Sequence, residues 1–287
     1  MENKIKNESD DHNLDNTILH SYTFLARNQK KEDFLMTVLQ DASQTYERDG
    51  YLTSIDIFAQ QEIAHFRRLF DRLEEREGRE TCQIGLQSWH FKEEFIWEMC
   101  TDARLLDAVE SVVGEDLLLL STHFFCKYPT REIEHYVAWH QDVTYWGLEP
   151  PEAHTAWIAV DDSDLENGCM KIVPGTHRTG IVPHATAADE GNLLSINQEI
   201  PDEHVDESSV VALELQAGQM SIHHGQLLHS SHPNTSQRRR CGLAVRFSPP
   251  HVKQTKLNSV GKHWPVLLVR GVDRYQNFPE TPLPFAL

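Results

Sequence analysis

The sequence predicts an α+β fold that is mainly β, a β-sandwich carried on N-terminal helices. Three observations predict it. Apolar residues recur at helical spacing as far as Val113. Beyond Gly114 the texture changes to short β-rich runs divided by Gly, Pro and Asn turns. Finally, 287 residues suffice for one sizeable core, and all-β sandwiches of this size commonly remain single domains.

Each element follows from its own pattern. Residues 1–30 are rich in Asn, Asp and Lys and short of apolar spacing, so they read as a disordered tail that leaves 31–287 as one domain. From Lys31, the residues Phe34, Leu35, Val38 and Leu39 share a helical face. Gly50–Asp56 reads as a strand leading into a helix N-cap, and Phe58, Ile63, Phe66, Leu69, Phe70 and Leu73, separated by charges, mark a helix from Phe58 through Leu73. Glu94–Cys100 and Ala103–Val113 are further helices, the second stopped by Gly114. Strands are expected over Leu117–Lys127, Ala153–Val160, Gly168–Val173, Ser209–Leu215, Met220–Leu228 and Cys241–Ser248. Pro183–Ser208, polar, acidic and too long for a turn, is expected to be an active-site wall or lid.

Composition excludes several function classes. With 26 basic against 44 acidic residues the formal charge is −18, the opposite of the basic footprint that a phosphate-backbone binder needs, so nucleic acid is not an expected partner. Five cysteines, Cys82, Cys100, Cys126, Cys169 and Cys241, are odd in number and widely spaced, which reads as reduced thiols in a cytosol. No stretch approaches the roughly 20 apolar residues of a membrane span, and the first residues lack the apolar core of a signal peptide. A soluble, cytoplasmic protein with no membrane partner is expected; no oligomeric state follows from the sequence.

The chemistry lies in His140-Gln141-Asp142, in the distant His229 and in Arg240. In an extended segment residues two apart point to the same side, so His140 and Asp142 can face one metal while Gln141 points away. Two imidazoles and a carboxylate on three corners of an octahedron hold Fe(II) and leave three corners for substrate and O₂. Three histidines in Gln219–Ser231 compete to be the third ligand. Pairing of the run ending at His229 with the strand after Arg240, as a hairpin, would bring His229 and Arg240 into one pocket. His223 and His224, adjacent on a strand, point to opposite faces, and one of them is expected to be a packed core histidine.

These residues carry a resemblance. From about Ser121 to Pro250 the chain resembles the phytanoyl-CoA hydroxylase-like branch of the Fe(II)/2-oxoglutarate dioxygenases, through Trp139–Asp142, Ala156–Asp161, Glu166–Met170, Val173–Arg178 and the His229-to-Arg240 spacing. The H-x-D pair alone is weak, but all five segments in this order are specific. The resemblance implies a double-stranded β-helix, a jelly-roll or cupin-like core. It implies Fe(II) held by His140, Asp142 and His229 as the catalytic centre, with 2-oxoglutarate and O₂ as cosubstrates. It makes Arg240 the partner of the distal carboxylate of 2-oxoglutarate, a task suited to a planar guanidinium fork that stays charged. Ser231 resembles the hydroxyl donor to that carboxylate, Trp157 the indole wall of the cosubstrate site, and Gln141 a residue beside the metal pair.

The expected reaction is hydroxylation of an unactivated C–H bond of a small polar metabolite or natural-product intermediate, with release of succinate and CO₂. Halogenating relatives replace the metal carboxylate with a small residue, so Asp142 disfavours halogenation; desaturation, epoxidation and cyclisation stay open. An acyl-CoA substrate is not favoured, because no basic patch for its phosphates is evident. His123 and Phe125, on one face of an early strand by period 2, and Tyr145 and Trp146, near the sandwich mouth, are the candidate substrate contacts. Arg238-Arg239-Arg240 would ordinarily be a solvated charge run; alternation turns Arg239 away from the other two. There is no G-x-S-x-G elbow, H-E-x-x-H helix, Walker loop or G-x-G-x-x-G. The rival readings are a catalytically silent ligand-binding jelly roll and a zinc hydrolase, the latter having no need of Arg240 or O₂.

Overall fold

The computed structural model describes residues 42–129, 134–144, 146–187, 191–194, 198–257 and 261–285. Thr45–Leu287 form one compact unit. The expected tail, its boundary after residue 30 and the helix from Lys31 lie outside the described residues.

Strand β1 (Tyr51–Asp56) precedes four helices, α1 (Gln60–Glu77), α2 (Arg79–Ile84), α3 (Glu94–Thr101) and α4 (Ala103–Val113). Helix α1 starts later than its apolar spacing suggests because its N-terminus is set by Glu62, whose Oε2 accepts the Ala59 N–H at 2.7 Å. Asp56 does not cap it; that carboxylate ends β1 and accepts from Gln219 Nε2 at 2.9 Å. Helix α4 matches its expected bounds, since Asp102 accepts the Arg104 N–H at 2.9 Å at one end and Gly114 stops the other.

Two antiparallel sheets follow. The larger has the order β1-β10-β5-β12-β2-β14, with β2 (Leu117–Lys127), β5 (His154–Ala159), β10 (Gln219–His224), β12 (Arg240–Ser248) and β14 (Leu267–Arg270). The smaller has the order β3-β11-β6-β9, with β3 (Val137–His140), β6 (Met170–Ile172), β9 (Val211–Leu213) and β11 (His229–Ser231). The short pairs β4 (Leu148–Glu149) with β13 (Lys253–Gln254), and β7 (Ala185–Thr186) with β8 (Gln198–Glu199), complete the fold. This is the jelly-roll architecture that the sequence implied.

Period-2 alternation gives the larger sheet two chemically distinct faces. Along β12, Cys241, Leu243, Val245 and Phe247 are fully buried in one apolar cluster with Ile63, Phe70 and Leu73 of α1, Trp97 of α3 and Leu105 of α4. Each such side chain contributes about 1.5–3 kcal/mol on burial, which is how the helices are held to the outer face. The alternate residues, Arg240, Gly242, Ala244 and Arg246, face inward.

Two expectations change here. The apolar run Met220–Leu228 is not one strand: β10 ends at His224, Leu227 N donates to His224 O at 2.9 Å in a turn, and the chain crosses to the other sheet as β11. The His229–Arg240 hairpin therefore does not form. Strand β11 pairs with β3 and β6, whereas β12 pairs with β2 and β5, so the two residues meet across the sandwich. The segment expected as a wall or lid runs along β3, with Leu193 N donating to Tyr136 O at 2.8 Å and Ile200 N to Trp139 O at 2.7 Å. None of its described residues lines the central cavity.

Candidate active site

His140 closes β3, Asp142 opens the turn after it, and His229 opens β11 directly opposite His140 in the ladder, with ring centroids 4.0 Å apart. The two imidazoles are fixed alike. His140 Nδ1 contacts Ala138 O at 2.9 Å and His229 Nδ1 contacts Leu227 O at 3.0 Å. A carbonyl only accepts, so both Nδ1 atoms carry the proton and both Nε2 atoms carry a lone pair that can ligate. Asp142 Oδ1 lies 3.6 Å from His140 Nε2. The three ligand atoms all lie within 4.8 Å of one another, and among the described residues no other group of three His, Cys, Asp or Glu does this.

The larger sheet supplies a floor beneath Asp142. Thr155 on β5 is the ladder partner of both His223 on β10 and Arg246 on β12, so the three form one row across adjacent strands. All three address Asp142 Oδ2: Thr155 Oγ1 donates at 2.8 Å, and His223 Nε2 and Arg246 Nε stand 3.7 Å away. Burial works to raise the Asp142 carboxyl, but the Arg246 guanidinium, with His140 and His223 beside it, outweighs burial and holds it well below the usual carboxylate range. Burial, reinforced by His140 and His223, pushes His229 well below the usual imidazole range. A neutral imidazole and an ionised carboxylate are the forms that bind a cation.

The cavity encloses about 450 Å³ of empty space, including its mouth, and runs from this cluster to Arg240. Arg240 is 3% exposed, its Cζ sits 5.5 Å from the Trp157 ring centre, and its Nε and Nη2 have no hydrogen-bond partner among the described residues. Its ladder partner Lys127 is equally buried, and Lys127 Nζ donates to Ser231 Oγ at 2.6 Å, to Gly168 O at 3.4 Å and to His232 O. Ser231 Oγ thus accepts a hydrogen bond from lysine and keeps its own O–H to donate. Neither cation forms an ion pair among the described residues, so this end of the cavity seeks an anion. Gly168, at φ 81°, sits where a Cβ would lie 2.3 Å from His232 O, which explains the glycine in the Glu166–Met170 motif.

Gly242 has a different reason. A Cβ there would lie 2.0 Å from Trp157 Cζ2, so the bare backbone lets the indole lie across β12 between Arg240 and Ala244. Gly242→Ala is expected to lose about 1–3 kcal/mol of stability through overpacking and to shift tryptophan emission. Thermal denaturation and fluorescence check this; unchanged values in both would show that the indole has room to move.

Other expected residues divide. Trp157, Ser231 and Phe125 line the cavity with the three candidate ligands and Arg240. Gln141, which the resemblance set beside the metal pair and period 2 turned away from it, is a brace: its Nε2 donates to Gly180 O at 2.9 Å and Gln226 O at 2.7 Å, its Oε1 accepts the Val182 N–H at 2.8 Å, and it does not line the cavity. His123 is corrected too. It stacks on Phe125 at 4.3 Å, but its Nε2 donates to Ile84 O at 2.5 Å and it does not line the cavity. Trp146 reaches the site only as the ring 5.3 Å from the Arg246 Cζ. Tyr145 lies outside the described residues.

Of the adjacent histidines, His224 is the packed one, set against His154 and His177 at 5.1 and 5.4 Å and pushed by burial to about 3. His223 faces the cavity, stacked on His229 at 4.6 Å. Arg238 pairs with Asp164 at 2.7 Å, and Arg239 clasps Asp161 and Asp71, each at 2.8 Å, leaving Arg240 alone of the three to enter the cavity. Sequence reasoning missed Arg246, Thr155 and His223 as a set. Arg246 was findable, because it stands in phase with Arg240 on a strand whose alternation was already read.

Known proteins agree with this geometry. A family model described as Phytanoyl-CoA dioxygenase (PhyH) matches residues 46–242. A phytanoyl-CoA dioxygenase domain-containing protein 1 homolog of Dictyostelium discoideum is 34% identical over 109 residues, 38% of this chain and 39% of its own length. The matched part of the chain therefore spans about two fifths of that relative. Among solved structures, the apo form of the non-heme monooxygenase ThoJ superposes with a TM-score of 0.68 and 27% identity over 83% of this chain and 86% of that one. The epimerase SnoN, in complex with Fe3+, alpha ketoglutarate and nogalamycin RO, shares the fold at a TM-score of 0.64 and 19% identity over 86% of this chain and 96% of its own. No helix among the described residues is long and apolar enough to cross a membrane.

Proposed function

Because the chain belongs to the phytanoyl-CoA dioxygenase family, we propose that it is an Fe(II)- and 2-oxoglutarate-dependent dioxygenase that hydroxylates an unactivated C–H bond of a small polar metabolite or natural-product intermediate. One observation carries this reading: two imidazoles in the tautomer that ligates through Nε2 and one ionised carboxylate converge at one end of a cavity whose other end holds an arginine with two buried nitrogens unpartnered among the described residues. The donor set fits iron with open corners. Fe(II), when bound, would supply the coupling of O₂ reduction to decarboxylation of 2-oxoglutarate and oxygenation of the substrate.

The chain's own part is orientation and charge. Ala138 O and Leu227 O hold the two rings in the ligating tautomer, and Thr155 fixes the Asp142 oxygen that faces the sheet. Arg240 and Ser231 receive the distal carboxylate of the keto acid, with Trp157 as its wall. Phe125 offers an apolar surface to substrate. The resemblance to a monooxygenase at 27% identity supports hydroxylation, and the five free, buried cysteines support a reducing, cytosolic setting.

The test begins with anaerobic Fe(II) and 2-oxoglutarate, which should give the weak visible charge-transfer band of the chelate. Admission of ¹⁸O₂ should then yield one succinate per 2-oxoglutarate consumed, with label in succinate. Turnover without O₂, or on Zn(II) alone, would instead make the protein a hydrolase.

A further inference from the structure

Arg246 is the second buried guanidinium of the cavity, and the metal cluster does not use up its donors. It is 8% exposed, yet it makes no hydrogen bond among the described residues. Its contacts are an ion pair with Asp142 at 3.7 Å and two aromatic rings, Trp146 at 5.3 Å and Phe125 at 5.8 Å from its Cζ. A separation of 3.7 Å compensates charge but is too long for a hydrogen bond. A guanidinium that served only to neutralise Asp142 would reach it through the short, paired N–H contacts that arginine makes with carboxylates. Here the nearer oxygen is already taken by Thr155 Oγ1 at 2.8 Å, and the rings hold the arginine off.

His223, in the same cross-strand row, repeats the situation. It is 1% exposed, both its ring nitrogens lack partners among the described residues, and Nε2 stops 3.7 Å from the same Asp142 oxygen. Two buried donor groups therefore flank one point on the cavity floor. An unmet buried donor is costly, more so when charged, so such a pair is kept where a ligand satisfies it. Arg246 shares a strand face with Arg240 but lies six positions on, roughly 20 Å along the strand, so it is a separate place of charge.

We propose that Arg246, flanked by His223, forms a second carboxylate subsite beside Asp142, separate from the Arg240 end. The assignment rests on the dioxygenase reading, which gives Arg240 the distal carboxylate of 2-oxoglutarate. The carboxylate at Arg246 is one carried by the substrate, which makes the substrate an acid; occupation by the keto-acid end of the cosubstrate is the competing outcome that the test separates. The planar fork binds the anion, and the Trp146 and Phe125 rings, 5.3 and 5.8 Å from its Cζ, flank it.

Anaerobic calorimetry on the Fe(II)-loaded protein separates the sources through two probe pairs. The first is 2-oxoglutarate against 4-oxopentanoate, which keeps the keto group and distal carboxylate but has methyl in place of the keto-acid carboxylate. The second, added to the 2-oxoglutarate complex, is phenylacetate against phenylacetamide, an acid and its neutral isostere. Arg246→Gln is expected to reduce the second acid preference by about 10- to 100-fold. A loss confined to the first pair would give Arg246 to the cosubstrate and overturn the proposal. Both preferences unchanged would overturn the proposal and leave Arg246 as a counter-charge to Asp142.

Should Arg246→Gln fail to fold, Arg246→Lys keeps the charge without the fork. It is expected to lose part of the same preference, and no loss at all in that folded variant overturns the proposal. Arg240→Ala in parallel distinguishes the failures. If it leaves 4-oxopentanoate binding intact, the dioxygenase reading is at fault; if it abolishes binding while Arg246 variants change nothing, only the present assignment falls.

Discussion

In Asp142→Gly, turnover falls by more than the roughly 10- to 100-fold lost when a group that merely orients a ligand is removed, and stability falls with it. The first loss follows from leaving two protein donors of three. The second follows from the floor of the site, where Arg246 Nε stands 3.7 Å from the Asp142 carboxylate and has no other ion pair among the described residues. Deleting one partner of a buried ion pair costs about 3–5 kcal/mol, so the variant's thermal midpoint should drop as well. Added chloride could occupy the freed metal corner, but a halide also needs a substrate held off the hydroxylation line, so chlorinated product is not expected. Mass spectrometry of product from wild type and variant, with ¹⁸O₂ and with chloride, checks this. Wild-type product that carries chlorine, or oxygen drawn only from water, would sink the hydroxylase reading.

Arg240→Ala weakens 2-oxoglutarate binding by roughly 30-fold to several thousand-fold, the range for losing a buried charge-assisted pair worth about 2 to 5 kcal/mol. Arg239→Ala should leave that affinity near the wild-type value. The reason is positional: Arg239 faces outward, bonded to Asp161 and Asp71 at 2.8 Å and to Glu74 at 3.1 Å, whereas Arg240 has two buried nitrogens free beside Trp157. Arg239→Ala should instead lower stability, because its clasp joins the start of β12 to α1 and the chain after β5. Titration of the anaerobic charge-transfer band measures the first effect and thermal denaturation the second. Equal losses of affinity in both variants would show that the arginine run acts only as a general positive field.

Sequence pattern by itself determined helices α1, α3 and α4, the alternation of faces along β2 and β12 and the candidate chemistry-bearing residues, because these depend on periodicity and residue type within one segment; the short α2 carried no such signal. Helix α4 and strand β2 have the bounds that apolar spacing and a terminal glycine predict. His140 and Asp142 face one point because they stand two apart at a strand end, and Cys241 to Phe247 alternate with Arg240 to Arg246 because a strand has period 2.

Only the tertiary structure decided what crosses between strands. An apolar run from Met220 to Leu228 carries no mark of the turn that sends β10 to one sheet and β11 to the other, so the sequence placed His229 and Arg240 in a hairpin when they meet across the sandwich. Ladder register sets His223, Thr155 and Arg246 in one row beneath Asp142, and no local pattern encodes which residues of three strands stand side by side. The partners of Gln141 and His123 were hidden for the same reason: their strand faces were legible, but the carbonyls of Gly180, Gln226 and Ile84 that take their hydrogen bonds come from distant segments. A side chain's direction is fixed by its own backbone, whereas the partner waiting there is fixed by packing between sheets.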